Sequence, residues 1–474
     1  MQVSVALRGR TRFAALLHSL EHAAAQRTDG PRADGRNRRT FRQVILGVLV
    51  QRSTRLLALG RVVAPPRRAN SVKAAAQGLA YFFQEAAFPV AAVSTGLLEE
   101  AVRQIAPARL VTDEGKVLLV LDPTAYAKRR RGRGKCGRQM QHIGRVRAPK
   151  RPAKPKHKQR KPAVAAHGQT APAPHRHDKG VATTYGYVDI WAGLVLKGKQ
   201  FLPLARQLFS SQHPACTSQN AIEEAVVGHA RALLQRVALA ALVVGGRGVG
   251  RKEFLIRLAK QEQAAVLRVE ADITVYPTDA PVAPDGLLLA DALAQQPWRG
   301  TVTRDRGAHG RLRGRLRTLR AAIRFSRTGR KDDIQEATVT FVEAVPLRGP
   351  SESLVLATTL PVETAAQARA IVRLYAQRWA IETAFETMHA WGQDRFMVRS
   401  WVAIDRLLWV LAVAYALVML ALHSRSLRRF RAQAIAVLKA LSVVGEQLST
   451  GKLAEAIGLD YARHARAWLS AWLT

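Results

Sequence analysis

Cysteine is nearly absent: Cys136 and Cys216 are the only two in 474 residues. Two cannot build a disulfide framework or complete a zinc site without histidines from elsewhere, and such scarcity implies a reducing compartment. Acidic residues are also few, 34 Asp+Glu against 74 Lys+Arg, which leaves a formal charge of +40. Solubility does not require such an excess. It implies a polyanionic partner, with nucleic acid the first candidate and an anionic membrane surface the second. The one long apolar run, Leu407 to Leu422, has sixteen residues; it is short for a bilayer span and suits a buried helix. No sustained apolar stretch precedes Arg8 and Arg10, so no signal peptide is expected. There is no internal repeat and no G-x-S-x-G element.

What is present is the apolar content of a globular chain, 48%, on a length that divides into two or three structural parts. Residues 1–110 read as a helical, basic domain suited to duplex DNA. Apolar residues recur at helical spacing over Phe41 to Leu59 and Val72 to Phe83, with Pro65 and Pro66 between them. Arginines accompany these segments (Arg36, Arg38, Arg39, Arg42, Arg52, Arg55, Arg67, Arg68). Val117 to Leu121 is a continuous apolar run closed by Asp122-Pro123, the pattern of a buried strand with a carboxylate at its C-terminal edge. Such an aspartate serves either as a ligand or as a turn former.

Lys128 to Lys179 is strongly basic, with Asp178 its one acid. It reads as a disordered or extended insert (128–180) that neutralises phosphates. Its histidines (His142, His157, His167, His175, His177) lack metal-ligand spacing. Tyr187 to Leu196 and Phe201 to Leu204 predict a hairpin turning near Lys197-Gly198, and a helix follows, capped by Ser218 or Asn220. Val237 to Val244 predicts another buried strand, running into Gly245-Gly-Arg-Gly-Val-Gly-Arg-Lys252. Strand, glycine loop and helix suggest a phosphate loop, but a Walker A loop needs Lys then Ser/Thr where Arg251 and Lys252 stand. Period-two segments over Ala265 to Val275, Ala337 to Val345 and Leu354 to Thr359, separated by a turn-rich, Arg-rich stretch from Arg304 to Arg330, predict a β-rich insertion over 264–350. A helical region and a helical, basic tail (426–474) follow.

The stretch from Leu374 to His389 contains no helix breaker. Its Tyr375, Arg378, Glu382, Phe385 and His389 recur at steps of three and four, one stripe of a helix. A packing stripe would carry aliphatic residues there; this one carries a phenol, a guanidinium, a carboxylate and an imidazole. An exposed Arg378–Glu382 pair on a solvated face is the plainer reading.

Together these pieces resemble the DDE transposases of bacterial insertion sequences, in the group marked by Tyr-x2-Arg-x3-Glu-x6-Lys. Leu121-Asp122-Pro-Thr124 carries the first acid, Gly246-Arg247-Gly248 stands at the second, Leu354 to Pro361 leads towards the Glu helix, and Tyr375 to His389 holds the signature. The resemblance runs from about residue 40 to 425. It implies a ribonuclease-H-like mixed sheet flanked by helices, with a first core part at 111–263, the β-rich insertion, and a second core part at 351–425. It also implies strand cleavage and transfer at transposon ends with two Mg²⁺ or Mn²⁺ ions about 4 Å apart. Asp122 and Glu382 would be metal ligands; Tyr375, Arg378, Arg247 and His389 would hold phosphates. The partners implied are double-stranded DNA, both inverted-repeat ends and target, and a second copy of the chain, in the bacterial cytoplasm and on the nucleoid rather than at a membrane.

Two departures matter. His389 stands where the family has Lys, with weaker charge at neutral pH. Gly246 stands where it has the second Asp, and glycine has no side chain to ligate a metal. Neither Glu253 nor Asp272 downstream has a stated claim on the vacancy. The expectation is a transposase fold and DNA affinity with cleavage severely weakened or absent; the alternative is a non-catalytic DNA-binding protein derived from a transposase.

Overall fold

The computed structural model describes residues 10–27, 35–63, 71–128, 140–147, 183–278, 285–305, 311–326, 328, 330, 333–348, 352–424, 427–440 and 449–473. Most of the basic insert lies outside these residues, as do Cys136, Asp178 and the histidines at 157, 167, 175 and 177. The expected N-terminal helices are α1 (Arg10–Arg27), α2 (Gly35–Gln51), α3 (Leu56–Val63), α4 (Ser71–Gln84) and α5 (Val90–Gln104). The apolar segment Phe41 to Leu59 is two helices, not one. Arg52 turns to φ 47°, and Thr54 is drawn inward, its hydroxyl donating to the Gly392 carbonyl at 2.5 Å. That tertiary contact outweighs the local periodicity. Gly60 lets α3 and α4 approach closely, since a Cβ there would lie 2.8 Å from the Val72 carbonyl oxygen.

The centre of the molecule is one mixed sheet. Its first strands are β1 (Thr112–Asp113), β2 (Lys116–Ala127), β3 (Gly144–Arg147), β4 (Thr183–Leu196) and β5 (Gln200–Phe209). After α6 (Gln219–Arg236) come β6 (Ala241–Gly245), α7 (Lys252–Lys260), β7 (Ala265–Arg268), β8 (Thr274–Pro277), β9 (Leu287–Leu288), α8 (Leu289–Ala294) and β10 (Thr301–Asp305). The long hairpin β11 (Arg311–Ser326) and β12 (Ile334–Pro346) follows, then β13 (Leu354–Thr358). The chain ends in helices α9 (Ala365–Ala376), α10 (Trp379–Ala390), α11 (Trp401–His423), α12 (Arg428–Ala440) and α13 (Thr450–Leu473).

β2 lies between antiparallel β4 and parallel β6, and β7 continues the parallel set. β5 pairs with the far side of β4. Beyond β7 the sheet runs on through antiparallel β13, β12 and β11. The expected insertion (264–350) is thus continuous with the central sheet: β7 falls within it, β13 of the expected second core part covers the free edge of β7, and β12 and β11 extend the sheet beyond. The apolar α11 is long enough to cross a membrane by composition, yet its residues from Leu407 to Ala421 are buried, against α2, α4, α5 and β5. The buried helix expected from Leu407 to Leu422 is there.

Several local expectations need correction. β2 does not stop at Asp122-Pro123 but continues to Ala127. β6 ends opposite Leu121, which frees one edge of β2, and a proline lacking N–H is tolerated in a strand with an unpaired edge. The strand expected at Val237 to Val244 starts only at Ala241, because Val237 caps α6 and Ala238 turns to φ 56°. Ala265 to Val275 is two strands. The described residues of Arg304 to Arg330 are mostly strand, not turn: β11 fills Arg311–Ser326, in which Arg313, Arg315 and Arg317 alternate with the inward-facing Gly314 and Leu316. The hairpin turn at Lys197-Gly198 and the Ser218 cap, whose hydroxyl accepts from the Ala221 N–H, are as expected.

Candidate active site

The signature stretch is not a single helix. The N–H groups of Gln377 and Arg378 reach back only three residues, to the carbonyls of Leu374 and Tyr375 at 3.0 Å each. This tight turn separates α9 from α10 although no breaker residue is present. It falls where Arg378 reaches across to β2. Of the five-residue stripe, Tyr375 and Phe385 are buried, while Arg378, Glu382 and His389 are half-buried.

Asp122 sits on β2 just past the last residue paired with β6. Arg378 Nη1 donates to Asp122 Oδ2 at 2.9 Å, and Arg378 Nη2 donates to Glu382 Oε1 at 2.5 Å. One guanidinium thus spans the two carboxylates that the sequence singles out, although 260 positions separate them. Burial pushes the Asp122 carboxyl up to about 6; Arg378 opposes that rise and the neighbouring charge of Glu382 adds to it. Gly246 completes the cluster. A Cβ built there would lie 3.2 Å from Asp122 Oδ1 and 3.6 Å from Arg378 Nη1.

The glycines of this loop are not equivalent. A Cβ on Gly250 would stand 1.7 Å from the Arg268 carbonyl oxygen, and one on Gly245 would stand 2.3 Å from Val249 Cγ2. Those two are required for the loop to pack on β7. A side chain at position 246 requires the Asp122 carboxylate to give by a few tenths of an ångström, far less than at the other two. Packing therefore explains Gly245 and Gly250 within the glycine run. Arg251 anchors the loop, pairing with the buried Glu223 of α6 and donating to the Gly248 carbonyl.

The remaining candidates lie around this centre. Arg247 pairs with Glu270 and Glu352. Tyr375 packs beneath Arg378, ring centroid 5.7 Å from the guanidinium carbon. His389 lies against Tyr126, with 6.4 Å between ring centroids. Burial lowers its pKa and its Nε2 is buried without a partner among the described residues, so a neutral ring is favoured at this position. Glu253 is occupied on α7 by Arg257 and Asn220. Sequence reasoning gave no role to Trp379, partly exposed beside Arg378. It also missed Asp189, fully buried on β4 and bound by Tyr126, Trp191 and Arg206; within an apolar strand nothing marked it.

Divalent ions held by carboxylates need oxygen ligands from several acids. Here two acids converge, the third position is glycine, and a guanidinium already stands between the two. Among the described residues no group of three His, Cys, Asp or Glu could hold a metal ion. The residues present do not fit the expected pair of Mg²⁺ or Mn²⁺ ions.

Residues 215–417 match the family model described as Transposase DDE domain. The match spans 203 of the 474 residues, takes in Gly246, Arg378 and Glu382, and begins after Asp122. No curated protein matches the chain significantly.

Proposed function

We propose that this chain is a transposase of the DDE type that holds transposon-end DNA but has lost strand cleavage at position 246. The family match supports the transposase reading for 215–417. A central β2 flanked by antiparallel β4 and parallel β6 supports a ribonuclease-H-like core, with Asp122 on that strand and Glu382 on a helix beside it. One observation carries the loss of cleavage: the side-chain space beside Asp122 and Arg378 belongs to a glycine that the backbone does not require. Without that carboxylate, Arg378 pairs with both acids and offsets one of their two negative charges.

In this reading Tyr375, Arg378, Trp379 and Arg247 line the place where a DNA end lies, and the N-terminal helices supply most of the affinity. Bridging two ends calls for at least two copies of the chain, and the site of action is chromosomal DNA in the bacterial cytoplasm. The test is Gly246→Asp, assayed for nicking of a plasmid carrying the DNA that flanks the coding region, with and without Mg²⁺. The parent chain is expected to bind this DNA and leave it intact, and the variant to nick it only with Mg²⁺. Efficient Mg²⁺-dependent nicking by the parent would refute the proposal. The same variant should gain thermal stability from added Mg²⁺ while the parent gains none.

A further inference from the structure

From Gly35 to Gln84, the span of α2, α3 and α4, the chain carries ten Lys or Arg and no Asp or Glu. Elsewhere, arginines on the surface are commonly matched by acids, as Arg257 is by Glu224 and Glu253 between α6 and α7. Within this span Arg42 pairs with Glu21 of α1, and Arg52, Arg55 and Arg61 are exposed.

α4 has two faces of different character. Ala76, Leu79, Phe82 and Phe83 are buried, whereas Lys73, Ala74, Gln77, Gly78, Tyr81 and Gln84 are exposed. Tyr81 stands 64% exposed and Leu57 on α3 59%. A large aromatic left in solvent among basic side chains, with the exposed Glu85 one turn further on, suits contact with a partner that is anionic and has flat apolar edges, as duplex DNA does. Ala74 and Gly78 keep the face low between the longer side chains, so the helix backbone can come close.

The helix is also held rigidly. Arg406 of α11 donates from Nη1 to the carbonyls of Phe82 and Phe83, at 3.1 and 3.2 Å, capping the C-terminal end of α4. The α2–α3 turn docks on Gly392, just after α10, through Thr54. Gly392 has φ +87°, and a Cβ there would lie 3.3 Å from Thr54 N and Oγ1, so the junction is close. This basic surface is thus braced on the Gly392 turn after α10 and on α11.

We propose that α4 is the helix with which this protein reads duplex DNA in the major groove. Gln77 and Tyr81 meet base edges, and Lys73, Arg52, Arg55 and Arg61 meet phosphates. A 14-residue helix, about 21 Å long, fits the width and depth of that groove. A glutamine can bond adenine through two hydrogen bonds, and lysine or arginine on phosphate adds affinity without sequence preference. The inference rests on the reading of duplex DNA as the partner and adds which helix does the reading.

The test is selection from a random-sequence duplex library with the full chain, followed by titration of the enriched site at several salt concentrations. The parent is expected to enrich a motif. Gln77→Ala should relax it at one or two adjacent positions, with discrimination there falling roughly tenfold to a hundredfold. Lys73→Gln should weaken all duplexes alike and lower the salt slope by about one. Both side chains are exposed, and an unchanged melting temperature checks that each variant folds. If Gln77→Ala and Tyr81→Ala enrich the parent motif with unchanged affinity, or if the parent binds duplex without enriching any motif, the assignment of α4 falls while DNA binding stands. If the parent binds no duplex at all, the proposed function falls with it.

Discussion

Two aspartate–arginine pairs stand on neighbouring strands of the same sheet, and they differ in how completely they are satisfied. Asp189 on β4 takes Arg206 Nη2 at 2.7 Å and Nε at 2.9 Å on Oδ1, with the Tyr126 hydroxyl at 2.8 Å and Trp191 Nε1 at 2.7 Å on Oδ2. Arg206 extends to Asp405 of α11 at 2.7 Å, and both members of the central pair are wholly buried. Asp122 on β2, among the described residues, takes one hydrogen bond, from Arg378 on Oδ2, while Oδ1 faces the space beside Gly246. The first pair has used its hydrogen-bonding capacity inside the protein and ties β2, β4, β5 and α11 together. The second keeps capacity in reserve. A buried charge held by a full set of partners contributes to the architecture, whereas one left short of partners costs stability and is a mark of a site.

The comparison breaks most visibly at Arg206. Arg206→Met leaves Asp189 buried without its counter-ion and should cost about 3–5 kcal/mol, read as a lower urea midpoint. A cost no greater than that of Arg378→Met would mean that saturation does not separate the two pairs.

Next in size is the pH dependence at Asp122. Its folded pKa, about 6, lies above the ordinary 3.8, so the folded state holds the proton more tightly than the unfolded chain does. The contribution to stability is full below pH about 4, is lost as pH rises to about 6, and stays lost above that. Asp122→Asn should therefore match the parent at pH 4 and exceed it by up to about 3 kcal/mol at pH 7. A constant difference across that range would show that burial does not set the Asp122 charge.

Arg378→Met should cost less than the Arg206 change, about 1 kcal/mol, since its partners retain some access to water. It should also move the Asp122 titration above 6, as followed by carboxyl resonances in NMR. The smallest effect is expected at Gly246. Gly246→Ala should fall within about 1 kcal/mol of the parent, while Gly250→Ala should cost about 3 kcal/mol or more through its clash with the Arg268 carbonyl. Equal costs in thermal denaturation would remove the argument that position 246 has room for a side chain.

Much of this was readable before any coordinates. Apolar runs marked β2 and β6, the alternation of Tyr187 to Leu196 marked β4, and the spacing from Tyr375 to His389 marked the helix of the candidate site. Other features left no local trace. The turn at Gln377 and Arg378 lies in a segment with good helix formers throughout, and Thr54 splits α2 from α3 through a partner 338 positions away. β11 was read as turns because arginine and glycine obscured an alternation that its pairing with β12 makes regular. Asp189 was hidden among apolar neighbours, since a polar residue in a strand shows neither its burial nor its partners.

The amino-acid order alone determined the charge that calls for a polyanion, the helices and most of the strands, and which carboxylates and which glycine deserve attention. These are properties of composition and of spacing within a few residues. Only the tertiary structure decided that Asp122, Arg378 and Glu382 meet, that Gly246 borders Asp122 and Arg378, and that the pair formed by Asp189 and Arg206 is closed. Contacts between residues hundreds of positions apart depend on how the sheet and helices pack, and no local pattern encodes that.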